Sequence, residues 1–537
     1  MPTDTKIQST AVLVVGGSLV GLSAAIFLAF HKVPTVVIER HQGSSKHPRA
    51  IGYTPRTMEL YRAMGMETQI PQAPPDFSLR RARVESLAGK WFDESQWTDK
   101  NKQKDDEAQK IEYSPCRGAA IAQDYLEPIL RERAVELGAD LRYQNELLGF
   151  SQDDERVTAL IRDKDGSEYN IHASYLVAAD GNRSFIREQL GIGREGRGHL
   201  QTLRSVLFRA SSLDEYLKTG ISQFSIENPD LKGFLTTYGD GRWVLMFSDD
   251  IDRNEIELKS AIYNGAGRTD CNIEIITTGR WELNALIANK FSVGRIFLAG
   301  DAAHALPPNR GGYGANTGIE DVHNLAWKIS HVLSGISTPK LLETYDAERR
   351  PIAWLRHQQI FVRQDYKAHL KGSSASDQPL IDDDAMEFGQ LYRSDAVLDA
   401  PEDRPPAMRP ERWAGHPGTR APHLWLTRQG QRISTLDLFQ HEWILLSESD
   451  AWGDYMEQAR QGLKLSIKHV HVGVDVHPED SAAFRDAFGI SAKGASLVRP
   501  DGYVAWRSFN IPSNPVTVLG NALRQASFGK GKSGPSA

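Results

Sequence analysis

The stretch Ala11-Val-Leu-Val-Val-Gly-Gly-Ser-Leu-Val-Gly-Leu-Ser-Ala-Ala25, closed by Val36-Val-Ile-Glu39, decides the fold. An aliphatic run breaks at a glycine turn, passes into an apolar helix and returns as a second run ending in an acid. That is the order of a βαβ unit that holds a dinucleotide. Gly16 permits the tight turn, the helix N-terminus offers free N–H groups to a pyrophosphate, and Gly21 lets helix and strand approach closely. Glu39 follows the first glycine by roughly 20 residues, where an acid can hold a ribose hydroxyl. Ser18 departs from the pattern, because it stands where the second glycine of G-x-G-x-x-G belongs.

Residues 11 to 30 carry no charge, so a membrane or secretory segment is the rival reading. The glycine break after a short apolar run, the lack of a strongly basic leader and the lack of a small-residue cleavage site count against it. The chain has 537 residues, 40% of them apolar and 25% charged, with a net charge of −6 spread along its length. This composition suits a globular protein of about three domains and leaves no basic footprint for nucleic acid. Two cysteines, Cys116 and Cys271, give neither a metal spacing nor a disulfide framework, which fits a reducing cytoplasm.

Beyond the first unit, residues 92 to 110 are dense in polar and charged side chains and read as a solvated excursion. A helix is expected over 123–137, followed by strands at 147–150, 157–161 and 175–179. Short alternating runs from about 200 to 290 predict an antiparallel sheet. A buried strand at 295–299 and long helices from about 319 follow. The divisions expected are a first part of a nucleotide-binding domain (1–185), a β-sheet domain (186–290), completion of the first domain (291–400), a Pro-rich linker (401–422) and a compact α/β unit (423–537).

Two further motifs make the pattern specific. One is Tyr175-Leu-Val-Ala-Ala-Asp180-Gly181-Asn-Arg-Ser184. The other runs from Gly294-Arg-Ile-Phe-Leu-Ala-Gly300-Asp301-Ala-Ala-His-Ala-Leu-Pro307-Pro308 through Asn316-Thr-Gly to Asn324-Leu-Ala-Trp-Lys328. With the N-terminal fingerprint, their order resembles the FAD-dependent aromatic hydroxylases of the para-hydroxybenzoate hydroxylase and phenol hydroxylase type, over residues 11 to about 370. The blocks Gly418-Thr-Arg-Ala-Pro-His423 and Gly494-Ala-Ser-Leu-Val-Arg-Pro-Asp501-Gly-Tyr-Val-Ala-Trp-Arg507 resemble the thioredoxin-like tail of the branch that includes aklavinone hydroxylase-like enzymes. The tail has no Cys-x-x-Cys, so a structural or homodimer-forming role is what the resemblance leaves to it.

The fold implied is therefore mixed α/β and α+β: a Rossmann-like FAD-binding domain, an antiparallel-sheet substrate domain and a thioredoxin-like domain. The resemblance assigns cofactor contacts to Gly16, Ser18, Gly21, Glu39, Arg40, Arg49, Arg117, Gln123, Asp180, Gly181, Gly300, Asp301, Gly314, Ala315 and Asn316. Asp301 would hold the ribityl chain. Pro308, after Pro307, would form a rigid turn at the reactive edge that lacks an N–H donor. Asn316 opens a helix whose N-terminus could stabilise negative charge on the reduced ring. Arg310 is an extra residue relative to the commonest family pattern. His304 reads as packing behind this loop. Tyr238 and Trp243 are candidates for the substrate face, with Tyr238 also a candidate catalytic group; core packing is the alternative for both.

The activity implied is an FAD- and NAD(P)H-dependent monooxygenation, with no metal. Through a flavin C4a-hydroperoxide it transfers oxygen from O₂ to a small aromatic substrate, a phenolic and polycyclic one of polyketide type. Baeyer–Villiger oxygenation, inactivation of a xenobiotic and a non-catalytic flavin- or polyketide-binding protein are the alternatives. A halogenase lacks its Trp-x-Trp-x-Ile-Pro signature here.

Overall fold

The computed structural model describes residues 7–47, 50–75, 79–94, 111–308, 312–363, 378–400 and 403–530. Arg49, Arg310 and most of the polar 92–110 stretch lie outside the described residues. The helices that matter most below are α1 (Leu19–Phe30), α2 (Pro55–Ala63), α3 (Gln123–Glu136), α4 (Tyr313–Leu333) and α5 (Thr344–Val362).

The quoted stretch forms strand Ile7–Val15, α1 and strand Thr35–Glu39. Five strands pair in parallel in the order Ile296–Leu298, Glu168–Ala178, Ile7–Val15, Thr35–Glu39 and Asp140–Tyr143. Val12 faces Tyr175 on one side and Thr35 on the other. Strands Glu146–Gln152 and Val157–Arg162 extend the sheet as an antiparallel flap. α1 and α4 cover the sheet with apolar side chains, among them the fully buried Leu22, Ile26, Ile319 and Ile329. Burial on both faces explains the near-continuous apolar runs of the central strands.

The second sheet has eight strands, centred on the long pair Arg194–Arg209 and Glu274–Ala288. It also recruits Arg81–Val84 and Trp91–Glu94 from the first third of the chain, a contribution that the alternation over 200–290 does not reveal. Its pairing is antiparallel except where Gln223–Glu227 runs parallel to Arg81–Val84. A separate core of Phe208, Phe224, Trp243 and Leu245 lies behind it.

The C-terminal unit carries a four-stranded mixed sheet, in which Trp443–Ser447 pairs in parallel with Ile467–His471 and antiparallel with Ala495–Val498. The Pro-rich stretch before it is well packed where described: Trp413 is buried, and Gly418 and Ala421 donate backbone hydrogen bonds to Val504 and Gly502. Arg420 reaches back to Glu59 on α2 at 2.5 Å. No described helix is long and apolar enough to cross a membrane.

His323 and His331 are both buried on α4; His323 bonds Gln440, and His331 packs edge-on against Trp327, which itself meets Trp443. Burial holds both rings neutral down to about 4. The unfolded chain takes up these protons near the ordinary value of about 6.5, so their contribution is complete above that pH and is lost as pH falls toward 4. The thermal midpoint is therefore expected to fall between pH 6.5 and about 4.5, and to fall less steeply in His331→Phe. A midpoint that is flat across this interval in the unmutated chain would contradict the assignment.

Candidate active site

Between the two sheets opens a cleft of about 2540 Å³. Pockets of roughly 300–1,000 Å³ hold one drug-sized ligand, so this one has room for a long molecule and a second beside it. One wall is made by the carboxyl ends of the parallel strands, at Val15–Ser18, Ile38–His41, Ala179–Arg183, and Ala299 and Asp301, together with the N-terminus of α4. The other comes from the second sheet, with Gln223, Phe234, Thr236, Tyr238, Trp281 and Asn284 facing in. Ligands of open α/β sheets bind outside such strand ends.

The glycine turn works as steric reasoning requires. Gly16 has φ +107°, and a Cβ there would strike the Ala179 carbonyl. A Cβ on Gly21 would strike the Gly16 carbonyl, so Gly21 acts behind the wall and does not line the cleft. Glu39 accepts from the Gly17 N–H at 2.7 Å and from the His41 N–H at 2.8 Å, which fixes its carboxylate at the rim beside Arg40.

Asp180 accepts from the Ile186 N–H at 3.2 Å in the short helix Phe185–Gln189, which Ser184 caps, and burial pushes its carboxyl up. Its other oxygen is buried without a hydrogen-bond partner among the described residues. Gly181 (φ +84°) carries the chain away from it. Asp301 sits on a single turn after strand Ile296–Leu298, lines the cleft and has no hydrogen-bonded side-chain partner among the described residues. Gly300, at φ +58° against Val20, makes that turn but stays behind the surface.

Pro308 is exposed to the cleft, whereas the Pro307 ring is buried. α4 begins at Gly312 (φ +58°), which supplies no side-chain cap, so the first-turn N–H groups beside Gly314 and Ala315 face the cleft. Asn316 does not reach the cleft. Its amide oxygen accepts from the Thr57 hydroxyl at 2.6 Å and the Thr54 N–H at 3.2 Å, and its nitrogen donates to Gly312 at 2.8 Å. It ties α2 to the start of α4, so its side chain positions rather than touches.

Arg117 lines the cleft and is held by Ala73 and Gln72. Gln123 opens α3 and donates to Ser18 at 3.0 Å and Glu127 at 2.8 Å. Tyr238 lies in the wall with the Arg242 guanidinium 5.0 Å from its ring centre. Trp243 does not join it: the side chain is fully buried in the core behind the sheet, with its indole N–H on Asp214 at 2.9 Å. The strand's alternation turns it to the far face. His304 is likewise fully buried, 2.7 Å from Asp321.

Sequence reasoning missed Glu127 and Trp281. Glu127 lies four residues after Gln123 on one helix and so shares its face, a signal that was available. Trp281 donates to Ser205 at 2.5 Å, a cross-strand contact that no local pattern marks. No group of His, Cys, Asp and Glu side chains that could hold a metal is found among the described residues.

A family profile described as an FAD binding domain matches residues 9–359, and one described as the C-terminal region of aromatic-ring hydroxylases matches 414–530. The chain belongs to the FAD-dependent aromatic-ring hydroxylases. It is 38% identical to 4-methyl-5-nitrocatechol 5-monooxygenase of a Burkholderia species, over 97% of this chain and 98% of that one. It is 36% identical to aklavinone 12-hydroxylase of Streptomyces purpurascens, over 96% and 98%. The crystal structure of aklavinone-11 hydroxylase with FAD and aklavinone superposes with a TM-score of 0.84 at 34% identity, covering 96% of this chain and 99% of that one. This hydroxylase is thus an FAD-dependent monooxygenase; Asp301, without a hydrogen-bonded side-chain partner among the described residues, and the uncapped start of α4 suit FAD as its cofactor.

Replacing Asn316 by Ala removes a buried hydrogen-bonded brace and leaves Thr57 and Thr54 short of an acceptor. The expected loss is about 1–3 kcal/mol in urea unfolding of the apoprotein. A loss below about 0.5 kcal/mol would show that the brace is not needed.

Proposed function

We propose that this hydroxylase oxygenates a phenolic, polycyclic aromatic substrate of polyketide type, using NAD(P)H and O₂. The observation that carries the reading is the two-sided cleft. Its first wall is formed by the glycine turn and the strand ends, and its second presents aromatic rings, amide and hydroxyl groups and the Arg280–Glu282 ion pair, with space left beyond a cofactor. When bound, FAD supplies the reduction by NAD(P)H and the activation of O₂; the chain binds, orients and keeps water away.

In this reading the Glu39 carboxylate, with Arg40 beside it, takes the adenosine ribose, and the first turn of α1 takes the pyrophosphate. Arg117 and Gln123 flank the phosphates, as Arg49 does in the family pattern. Asp301 accepts from ribityl hydroxyls, and a charged acceptor makes such bonds strong. The α4 N–H groups near Gly314 and Ala315 stabilise negative charge on the ring. Pro308 shapes the reacting edge without offering a proton. Tyr238, Trp281 and Phe234 give the substrate ring its apolar bed, and Gln223 and Asn284 offer polar contacts to its oxygens.

We further propose the domain division 1–185, 186–290, 291–400, 401–422 and 423–537, with strands 81–94 lent to the second unit. The last unit reads as thioredoxin-like. Its supports are the order strand, helix, strand, helix, strand, strand, helix over 443–527, apart from the two-residue strand His477–Pro478 that joins a separate small sheet, and the parallel and antiparallel pairings noted above. Without a Cys-x-x-Cys it serves as a structural or dimer-forming element.

The nitrocatechol monooxygenase similarity favours a second reading, a single nitrated ring. NAD(P)H consumption by the FAD-loaded enzyme, assayed with hydroxylated anthraquinones, simple phenols and nitrocatechols, separates the two. The proposal expects polycyclic phenols to stimulate consumption and give a product one oxygen heavier; stimulation by nitrocatechols alone would replace it. Asp301→Ala is expected to weaken FAD binding about 10- to 100-fold, since hydrogen bonds to a charged group contribute about 1.5–3 kcal/mol. Undiminished flavin content after gel filtration would remove Asp301 from the site.

A further inference from the structure

Ser18 is the N-cap of α1, and serine at that position ordinarily turns its oxygen onto the N–H groups of the helix's own first turn. Here it makes no such bond. Its hydroxyl donates to Glu127 Oε1 at 2.6 Å and accepts from Gln123 Nε2 at 3.0 Å. Gln123 also donates to Glu127 at 2.8 Å, closing a three-membered ring of hydrogen bonds between α1 and α3. Glu127 and Gln123 are both buried, while Ser18 is exposed at the cleft, so the ring meets solvent on its Ser18 side. The Gln123 N–H and amide oxygen are bonded to Ala50, which fixes the ring to the neighbouring loop as well.

We infer that Glu127, with Gln123, is a positioning residue that draws the Ser18 hydroxyl away from the first turn of α1 and so keeps that turn's N–H groups open for the cofactor pyrophosphate. The inference rests on the cofactor reading given above. A glycine at position 18 would leave the N–H groups open by having no side chain. A serine introduces an acceptor that competes with the ligand for the same donors. Glu127 removes the competitor by offering the hydroxyl a charged acceptor, which a serine proton prefers over a neutral one. A carboxylate near an anion site otherwise works against binding by like-charge repulsion. Its value to the site therefore lies in what it does to Ser18.

Two opposing effects make the test decisive. FAD affinity is measured by quenching of flavin fluorescence as apoprotein is added, for the unmutated chain and four variants. Glu127→Ala frees Ser18 to cap, and the expected result is about tenfold weaker binding, the ratio that a typical cap of about 1 to 1.5 kcal/mol produces. Ser18→Ala in the Glu127→Ala background removes the freed competitor and is expected to recover affinity to within about threefold of the unmutated chain. Glu127→Gln keeps the accepting oxygen without the charge and is expected to bind with an affinity between those of the unmutated chain and Glu127→Ala. Ser18→Ala alone is the reference for the double variant, and adding Glu127→Ala to it is expected to change affinity by less than about threefold. Tighter binding by Glu127→Ala would show that repulsion dominates and overturn the inference. Equal weakness of Glu127→Ala and the double variant would overturn it too, because Glu127 would then act on the packing of α3 alone. An unmutated apoprotein that binds no FAD would overturn the cofactor reading itself, and this inference with it.

Discussion

The molecule depends on one helix that buries charge. α4 starts at the cleft and runs through the centre of the structure, and its inner face carries Glu320, Asp321, Asn324 and Lys328, all buried. None of these can be left unpaired away from water. Glu348 of α5 answers Lys328 at 2.8 Å and Arg499 of the C-terminal unit at 2.6 and 2.9 Å, while Arg349 answers Asp321 at 2.8 Å. Burial alone would raise the Glu348 and Asp321 carboxyls; the cations around them outweigh it and hold both well ionised. Each charge in this cluster requires the others, so α5 and the C-terminal unit cannot leave α4 without a large desolvation penalty.

That constraint reaches the cleft. Arg356 donates to the Thr317 hydroxyl at 2.6 Å and Arg349 to its carbonyl at 3.1 Å, one residue after Asn316. Asn316 in turn pins α2, and α2 is held from the other side by Arg420 on Glu59. The first turn of α4 is therefore fixed from three directions before any ligand arrives. Oriented N–H groups stabilise developing charge most when they need not reorganise, so a rigid helix start supports the role proposed for it beside the flavin ring.

The parallel sheet and its glycine turn were legible because they rest on local geometry: a β-branched run, a residue that must take positive φ, an acid at a fixed distance. Gly16, Glu39, Asp180 and Asp301 stand at the cleft for that reason. The second sheet was half legible. Its strands 200–290 announce themselves by alternation, but Arg81–Val84 joins through a parallel pairing at long range, which no window of sequence contains. Trp243 shows the same limit at one residue, since alternation says that it faces one side and cannot say which. The motif residues Asn324, Lys328, Arg499 and Asp501 were quoted as signatures of resemblance. The structure gives them a physical reason, because all four meet at or beside Glu348, a residue that no motif drew in.

The central claim is that this cleft activates O₂ and gives one of its atoms to an aromatic ring. It is tested most directly by turning over a hydroxylated anthraquinone with NAD(P)H under ¹⁸O₂ and weighing the product by mass spectrometry. The account predicts one atom of heavy oxygen in each molecule of product, and none when the label is supplied as water. Product carrying oxygen from water, or label found only in hydrogen peroxide, would contradict it.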